Sequence, residues 1–584
     1  MDEQQRARER RARLEERNAR RRSQGKRTWD LDEDWPVAPT LTVSEAETVI
    51  LPPGTVIAAP SGGDGARSRA GMARNTAIFG LATGLSRILG LVREMVAGYY
   101  FGVRGPINSF TVAFQIPNLV RALVADAALS SAFVPVFSEL LEKGERKRAW
   151  RVASSLFWLM LLGLTGVSAL FILVAPWVIS PFHAYDPHLA ANLSRVLFPI
   201  VALLGVSGIV VGILNSYDHF TVPALSPVFW NLAIIAGLAI GVPHASSTSG
   251  KLYVYAGAIL AATVIQVLLP MPWLRGRDGR LQLVLDWRDP AVKQVFKLMV
   301  PVTLGLGLIN VNALIDTVFA SRFIDRTLAP TAISKAFLVY MLPQGMFSVA
   351  VATVLFPPLA RAAARNDLPE FRSTLSTGLR QIAFLLIPAA VVSAVLAEPI
   401  IRILFQRGAW HPNQTPVVAT CLAAFSLGLF FNGAMLMLNR AFFSLQSNWV
   451  PTAVALGNLG LNALLDAIFY RFGTWGIPLS TSVCNIAGTV ALVILLRRRV
   501  GRFGELAIVS SVVRIALASA AVAVVSYVVW HPLDRELGRS FPAQVVSLGA
   551  ALLAAGATYA IACRALRVRE LQTLLSFRSR ARRG

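Results

Sequence analysis

The sequence contains few cysteines, few histidines and few charged residues, and each shortage narrows the class of protein. Three cysteines occur among 584 residues and none stands in a C-x-x-C spacing, so neither a disulfide framework nor a thiolate metal site is predicted. The six histidines are spread over the connections between apolar segments and predict no metal site either. No glycine-rich nucleotide loop or nucleophile elbow stands in a suitable context, so we expect no enzyme, no ATPase and no organic cofactor.

Long apolar stretches dominate what remains. Hydrophobic residues make up 55% of the chain and charged residues 15%, with a mean hydropathy of +0.56, which excludes an ordinary soluble protein. Stretches of about 20 apolar residues can cross a hydrocarbon core of about 30 Å, and their recurrence predicts an all-α polytopic membrane protein with about 14 transmembrane helices. The approximate predicted spans are 75–102, 107–138, 152–180, 190–215, 223–242, 252–274, 294–321, 331–359, 376–398, 415–439, 450–470, 474–496, 505–530 and 542–563.

The distribution of basic residues predicts the orientation. Lys and Arg concentrate in short cytoplasmic loops of membrane proteins. An even number of spans places both termini on one side, and the connections on that side carry about twice as many Lys and Arg residues as the opposite connections. Both termini are therefore predicted to be cytoplasmic.

The two ends of the chain are rich in arginine and poor in periodic apolar residues. We predict a disordered basic cytoplasmic arm over 1–73 and a basic cytoplasmic tail over 566–584. The net charge of +24 lies mostly in these ends and in the connections. This placement favours attraction to anionic membrane lipids over nucleic-acid binding.

The second and eighth predicted spans share a pattern. Ile-Pro-Asn at 116–118 and Phe-Val-Pro at 133–135 correspond to Leu-Pro-Gln at 342–344 and Leu-Phe-Pro at 355–357. Transporters are often built from duplicated helix bundles with the binding site between them. The repeat predicts two parallel-related six-helix lobes, an N-lobe over 74–275 and a C-lobe over 276–500, with two further helices in 501–565.

Three arginines, Arg87, Arg93 and Arg121, lie inside the first two predicted spans. A charged residue at the centre of a bilayer costs at least about 2.5–3.5 kcal/mol, so these side chains should face an interior cavity. Because the guanidinium group binds phosphate oxygens bidentately and stays charged, the group predicts an anionic substrate. Structural pairing with Glu94 and Asp126 remains open as an alternative.

A second polar group is predicted later in the chain. Asp316 lies in the seventh span, and Asn462 and Asp466 lie four residues apart on one face of the eleventh. Their carboxylate and amide oxygens suit a hard monovalent cation such as Na⁺. An acid pair that is protonated or bound to arginine, with a packing role, is the alternative.

Three segments carry a family resemblance. They are Ser-Arg-Ile-Leu-Gly-Leu-Val-Arg-Glu at 86–94, Ala-Phe-Gln-Ile-Pro-Asn-Leu-Val-Arg at 113–121 and Ser-Ala-Phe-Val-Pro-Val-Phe at 131–137. Together they resemble the MurJ (MviN) lipid II flippases, which share the MOP superfamily with the MATE exporters and polysaccharide flippases. The resemblance covers 73–565 and is strongest in the first two helices.

The resemblance implies a function. Members of the family move lipid II, the undecaprenyl-diphosphate-linked peptidoglycan precursor, from the inner to the outer leaflet of the bacterial inner membrane by alternating access, driven by an ion gradient or the membrane potential. It implies that the arginines line the cavity and that helices thirteen and fourteen form a groove for the lipid tail. The substrate site implied is Arg87, Arg93, Arg121, Asn118, Asp126 and Glu94. Sodium binding is also implied, with Thr481 and the carbonyl of Ile477 as the nearest matches to the remaining ligands.

This chain departs from the family pattern at three places. Where the family has an acid at the start of the second helix, this chain has Asn108. The family's usual Glu-Gly after the arginine is replaced by Asp-Ala at 126–127, and Leu338 stands where some members have an arginine in the eighth helix. Lys335 lies three residues from Leu338, and we predict that it replaces that arginine as the cavity cation of the C-lobe.

Three other functions stay open at this point. The chain could flip another polyprenyl-diphosphate-linked saccharide, or export cations as MATE proteins do, although the arginines would repel a cationic substrate. It could also be a membrane scaffold that binds cell-wall synthesis enzymes or regulatory proteins through the arm over 1–73.

Overall fold

The computed structural model describes residues 48–50, 56–58, 67–124 and 127–571. Asp126 of the predicted substrate site lies outside these residues, as do most of the predicted arm and the tail from 572 onward. Two strands, β1 (Thr48–Ile50) and β2 (Val56–Ala58), pair antiparallel with Val49 opposite Ile57. The prediction of a disordered arm did not include this hairpin.

Helices form nearly all of the remaining described chain. The first half of the chain contains α1 (Arg67–Phe101), α2 (Ile107–Val124), α3 (Ala127–Glu142), α4 (Arg146–Ile179), α5 (Pro187–Leu197), α6 (Ile200–Ser216), α7 (Thr221–Gly241) and α8 (Thr248–Leu268). The second half contains α9 (Pro290–Phe319), α10 (Ala329–Pro343), α11 (Val349–Ala364), α12 (Leu368–Val395), α13 (Ala397–Phe405), α14 (Thr415–Ser426), α15 (Leu429–Ser444), α16 (Trp449–Phe469) and α17 (Gly476–Val500). The C-terminal pair is α18 (Glu505–Glu536) and α19 (Phe541–Ala565).

Short turns of other helix types extend or join these helices. The 3-10 turns are Ser180–Phe182, Val242–His244, Met271–Leu274, Pro412–Gln414 and Tyr470–Phe472. The π-helical turns are Ala320–Ile324, after α9, and Gln344–Ser348, between α10 and α11.

Each predicted span coincides with a helix or with a pair of consecutive helices. Within the described residues, ten helical segments are long and apolar enough to cross a membrane, and the pair Pro412–Ser426 and Leu429–Ser444, bent by 42°, adds an eleventh. The three remaining predicted spans coincide with α1, with α2 and α3 together, and with α9. The predicted all-helical, multi-pass fold is confirmed.

Each half contains its own buried clusters, and α9 joins the two halves. In the second half, one cluster gathers Tyr340, Phe371 and Phe425 from α10, α12 and α14. In the first half, α3, α4 and α6 pack around residues such as Phe133, while α1, α5, α7 and α8 contribute to another cluster. The start of α9 packs into the first-half cluster through Val292, so the cores of the two halves are in contact at this helix.

The C-terminal pair packs on the second half. Ile515 and Ala518 of α18 and Cys563 of α19 join Ala383 and Phe384 of α12 in one buried cluster. Close to it, the Tyr559 hydroxyl donates to the carbonyl of Phe384 at 2.6 Å. α18 and α19 therefore pack against α12 of the second half.

The prolines of the repeat occupy different positions in the two spans. In the second span, Pro117 lies inside α2, which continues to Val124. In the eighth span, α10 ends at Pro343 and is followed by the π-helical turn Gln344–Ser348 and then α11. Because proline lacks an N–H and disturbs the preceding turn, Pro343 fits the interruption of the regular hydrogen-bond ladder in the eighth span.

Candidate functional site

Arg93 of α1 is held by partners within the first half. Its Nη2 lies 2.7 Å from a carboxylate oxygen of the adjacent Glu94, and its Nη1 donates to Oδ1 of Asn231 at 3.2 Å. The guanidinium also lies 4.8 Å from the centre of the Trp230 ring. Both partners on α7 fix the direction of the side chain, so Arg93 is pre-positioned and already paired.

Glu94 reaches the second half as well. Its other carboxylate oxygen lies 2.5 Å from Nζ of Lys335 in α10, whose side chain is 8% exposed. Lys335 also donates to the carbonyl of Glu94 at 3.3 Å. Lys335 was predicted as a cavity cation; the structure places it in a buried ion pair between the halves with Glu94, a carboxylate that it shares with Arg93.

Arg87 lies six residues before Arg93 on α1 and is exposed. Among the described residues it has no carboxylate partner. Its guanidinium rests against Gly345 in the π-helical turn of the second half, so closely that a Cβ on Gly345 would come within 2.5 Å of Nη1. Arg87 thus spans the boundary between the halves and keeps its charge available.

Arg121 lies near the end of α2, one turn after Pro117. Its Nε and Nη2 donate to Oδ1 of Asn118 at 3.2 and 2.9 Å. Asn118 therefore orients the guanidinium, the positioning expected of a residue in the predicted substrate site. Asp126, the predicted acid beyond it, lies outside the described residues.

The halves meet at the end of α2 that carries Asn108, here called the Asn108 end. The Nδ2 of this fully buried side chain donates to the carbonyls of Val103, Gly105 and Thr327 at 3.0, 3.2 and 2.5 Å. Its Oδ1 accepts from the N–H of Thr331 at 3.0 Å. One amide therefore joins the α1–α2 connection to the start of α10.

Further contacts close the same end. The hydroxyls of Thr111 and Thr331 lie 2.8 Å apart, and the N–H of Gly105 donates to the carbonyl of Thr327 at 2.7 Å. One turn deeper, Nε2 of Gln115 donates to Oγ1 of Thr317 at 2.9 Å. Direct hydrogen bonds of this density leave the two halves in contact at the Asn108 end.

The loop after α13 adds a contact that the sequence reasoning missed. The N–H of Ala409 donates to the carbonyl of Tyr99 at 2.8 Å. Gly102 and Gly408 flank this contact with positive φ angles of 64° and 61°, and a Cβ on either would meet the opposing backbone within 2.6 Å. Two glycines at the ends of helices are a signal for such an approach, but sequence alone does not pair them.

The predicted ion site is partly assembled. Nδ2 of Asn462 donates to Oδ1 of Asp316 at 2.7 Å and to Oδ2 of Asp466 at 3.2 Å. Asn462 and Asp466 are fully buried, and Asn462 Oδ1 and Asp466 Oδ1 have no hydrogen-bond partner among the described residues. Neither Asp316 nor Asp466 has an arginine or lysine partner among the described residues, and two such carboxylates need a proton or a cation to be stable in an apolar interior.

The other two predicted sodium ligands lie on α17. Oγ1 of Thr481 donates to the carbonyl of Ile477 at 3.4 Å, one helical turn away, and Ile477 is fully buried. Over the described residues, no group of three or more His, Cys, Asp or Glu side chains is placed to hold a metal ion. The candidate ligands are thus two acids with amide, hydroxyl and carbonyl oxygens, a set suited to a monovalent cation.

Comparison with known proteins gives consistent results. The family model described as "Lipid II flippase MurJ" matches residues 97–542. The lipid II flippase MurJ of Burkholderia cenocepacia is 31% identical over 432 residues, covering 71% of this chain and 82% of that protein. The probable lipid II flippase MurJ of Rhizobium tropici is 30% identical over 493 residues, covering 82% and 92% respectively.

Two solved structures show the same fold. A lipid II flippase MurJ in an inward closed conformation superposes with a TM-score of 0.70 at 23% identity, covering 84% of this chain and 99% of that one. An inward-facing MATE family transporter of the MOP superfamily superposes with a TM-score of 0.63 at 15% identity, covering 72% and 96%.

Proposed function

Because the chain belongs to the lipid II flippase MurJ family, we propose that it moves lipid II from the inner to the outer leaflet of the bacterial inner membrane. The substrate combines a diphosphate, a sugar-peptide headgroup and a polyprenyl tail. Such a molecule requires a cationic site for the diphosphate and an apolar surface for the tail. The protein acts as a transporter and performs no covalent chemistry on its substrate.

Arg87 is the observation that carries this proposal. It lies exposed inside a predicted span, at the boundary between the halves, and no described carboxylate neutralises it. A cation in that position requires an anion, and the planar guanidinium suits a diphosphate. Arg121, oriented by Asn118, supplies a second donor group, while Arg93 and Glu94 hold α1 in place.

Alternating access is the proposed mechanism. We propose that the N-lobe (74–275) and the C-lobe (276–500) rock against each other, and that the Asn108 end faces the outside, with both termini cytoplasmic. In that orientation, the contacts of Asn108 with Thr327 and Thr331 close the outer side of the boundary between the halves. The pair α18 and α19, in 501–565, provides the groove for the lipid tail.

Ion coupling is proposed at Asp316, Asn462 and Asp466, with Thr481 and the carbonyl of Ile477 completing the shell. The buried, unpartnered oxygens of Asn462 and Asp466 support this proposal. A sodium ion there would neutralise one carboxylate. It would drive the cycle only if it bound the inward and outward states with different affinity.

The charged ends are proposed to act at the membrane surface. The arm over 1–73 and the tail over 566–584 carry many arginines, which are attracted to anionic lipid headgroups of the inner leaflet. The arm is also the proposed contact for cell-wall synthesis or regulatory proteins. Deleting it should leave transport intact.

The decisive experiment measures lipid II at the outer leaflet in bacterial cells depleted of their own flippase and supplied with this chain. Wild type should restore outward lipid II, whereas Arg87→Ala at equal membrane abundance should not. Arg535→Ala, an exposed arginine in the last turn of α18, is the matched control and should behave as wild type. Failure of well-expressed wild type would refute lipid II as the substrate and favour another polyprenyl-diphosphate-linked saccharide.

A further inference from the structure

The π-helical turn Gln344–Ser348 interrupts the eighth span where the second half faces Arg87. π-helical turns are rare and occur frequently at functional sites, since they free backbone groups and redirect side chains. Between 329 and 348 the only charged residue is Lys335, which is occupied by Glu94. The second half therefore offers Arg87 no acid here, only the turn itself.

The π-helical turn packs against α15 on the side away from Arg87. Nε2 of Gln344 donates to Oδ1 of Asn432 on α15 at 3.2 Å, and Ser348 is fully buried. The contact with α15 is so close that a Cβ on Gly433 would meet Oγ of Ser348 at 2.6 Å. Because α15 blocks movement of the turn away from α1, a side chain added on the side of the turn that faces α1 must displace the neighbouring group of α1.

The group that faces the turn from α1 is the guanidinium of Arg87. A Cβ on Gly345 would lie 2.5 Å from Nη1 and 3.3 Å from Cζ, which is too close for any contact without movement. The atoms that would move are the far end of a long side chain on the other half. A methyl group at 345 should therefore displace the arginine head while leaving the fold intact.

We propose that Gly345 is a positioning residue for Arg87. Because glycine has no side chain, the guanidinium can lie directly against the backbone of the second half; this space at Gly345 is here called the seat. In this position Arg87 presents its remaining N–H groups to a diphosphate between the halves. This inference rests on the proposed function for the nature of the anion, and it assigns the π-helical turn as the contribution of the second half to that site.

The test uses the purified full chain and inorganic pyrophosphate as the probe. Calorimetry compares Gly345→Ala with wild type, each also in an Arg87→Lys background. Gly345→Ala should weaken pyrophosphate binding roughly tenfold, the size expected for losing one charge-assisted hydrogen bond. In the Arg87→Lys background, whose compact ammonium lacks the Nη1 that meets position 345, the same substitution should have little effect. Gly257→Ala and Gly457→Ala, at helical positions with open space, are the controls.

The possible outcomes separate the inference from the proposed function. Equal weakening by Gly345→Ala in both backgrounds, unchanged binding, or no pyrophosphate binding by wild type would each overturn the inference. If Gly345→Ala does not fold, Arg87→Ala should restore folding, and failure to do so overturns it too. Pyrophosphate binding with the expected pattern, together with no lipid II transport by wild type, would refute the proposed function and leave the seat standing.

Discussion

The Nζ of Lys335 lies 2.5 Å from a carboxylate oxygen of Glu94, and this ion pair joins α10 to α1 across the boundary between the halves. The carboxylate also binds Arg93 at 2.7 Å, so one acid is shared by two cations that come from opposite sides of the boundary. Removal of the acid and removal of one cation should therefore have unequal effects.

Glu94→Gln should destabilise the protein more than Lys335→Met. The first substitution leaves Arg93 and Lys335 close together without their shared carboxylate, whereas the second leaves Glu94 paired with Arg93. Breaking a buried ion pair from one side costs about 3–5 kcal/mol, and we expect Glu94→Gln to reach this range. Thermal unfolding of the purified protein in detergent measures the order.

Lys143→Met is the control for this pair, because Lys143 and Glu139 form an exposed ion pair on α3 and the turn after it. Exposed pairs contribute little, so no change in unfolding temperature is expected. Equal unfolding temperatures for Glu94→Gln and Lys335→Met would contradict the shared-acid account.

Asn108→Asp should open the Asn108 end more than Asn108→Ala does. The amide nitrogen faces three carbonyl oxygens, and an ionised carboxylate oxygen in its place would repel all of them. Alanine loses the hydrogen bonds without adding that repulsion. Lowering the pH should restore closure of the aspartate variant, since a protonated carboxyl regains one donor.

Thiol labelling measures this opening. The three native cysteines are buried, so a cysteine introduced as Gln115→Cys, one turn below the Thr111–Thr331 contact, reports with little background. A membrane-impermeant reagent added outside should label it faster in Asn108→Asp than in wild type. Asn192→Asp, at an exposed residue that accepts a hydrogen bond from Arg195 of its own helix, should not change the rate. Unchanged labelling in Asn108→Asp would show that this amide does not hold the end closed.

The sequence predicts the helical spans because the length of an apolar segment and the placement of charged residues determine which segments can cross a bilayer. One predicted bound stopped short of a buried arginine. The tenth span was predicted to end at 439, yet α15 continues to Ser444 and buries Arg440 with its guanidinium 5.2 Å from the centre of the Phe356 ring. An arginine at the end of an apolar run indicates a boundary unless its partners are known.

Contacts between distant segments were beyond the reach of sequence reasoning. The polar group of Asp316, Asn462 and Asp466 was predicted from the oxygen-bearing side chains inside two spans, and hydrogen bonds join these residues in the structure. The partner of Lys335 was not predicted, because Glu94 lies 241 residues away in the sequence. Helical periodicity places a residue on a face, but the residue it meets depends on how two halves of the chain dock.

Sodium should stabilise the protein through Asp466 if the proposed ion site is correct. A ligand that binds only the folded state raises its stability in proportion to occupancy, so the unfolding temperature of wild type should rise with NaCl but not with matched KCl. Asp466→Asn, which removes a carboxylate and keeps the shape, should abolish the difference between the two salts. Glu536→Gln, at an exposed acid in the last turn of α18, should retain it. Identical curves for wild type in both salts would contradict a sodium-selective site.

Arg402 should fasten the C-terminal pair to the second half. Its Nη1 lies 2.7 and 2.9 Å from the two carboxylate oxygens of Asp534 in α18, and its Nη2 lies 3.1 Å from Glu398 in its own helix, α13. The Arg402 side chain is 3% exposed, so Arg402→Ala leaves the largely buried Asp534 without its partner. We expect this substitution to lower the free energy of unfolding by about 3–5 kcal/mol. Arg402→Lys should recover only part of this, because an ammonium cannot form the two-pronged contact.

Hydrogen exchange localises the effect of losing Arg402. Amides of 528–545, at the junction of α18 and α19, should exchange faster in Arg402→Ala, while those of 512–518, anchored by the buried cluster around Ile515 and Cys563, should stay protected. Arg535→Ala, beside Asp534 but exposed, controls for the loss of a nearby charge and should leave both segments unchanged. Faster exchange along the whole of α18 would mean that the ion pair holds the entire helix, and unchanged exchange would mean that apolar packing alone fixes it. Only an effect confined to the junction supports a clamp at one end of the pair, with the rest of α18 and α19 held independently against α12.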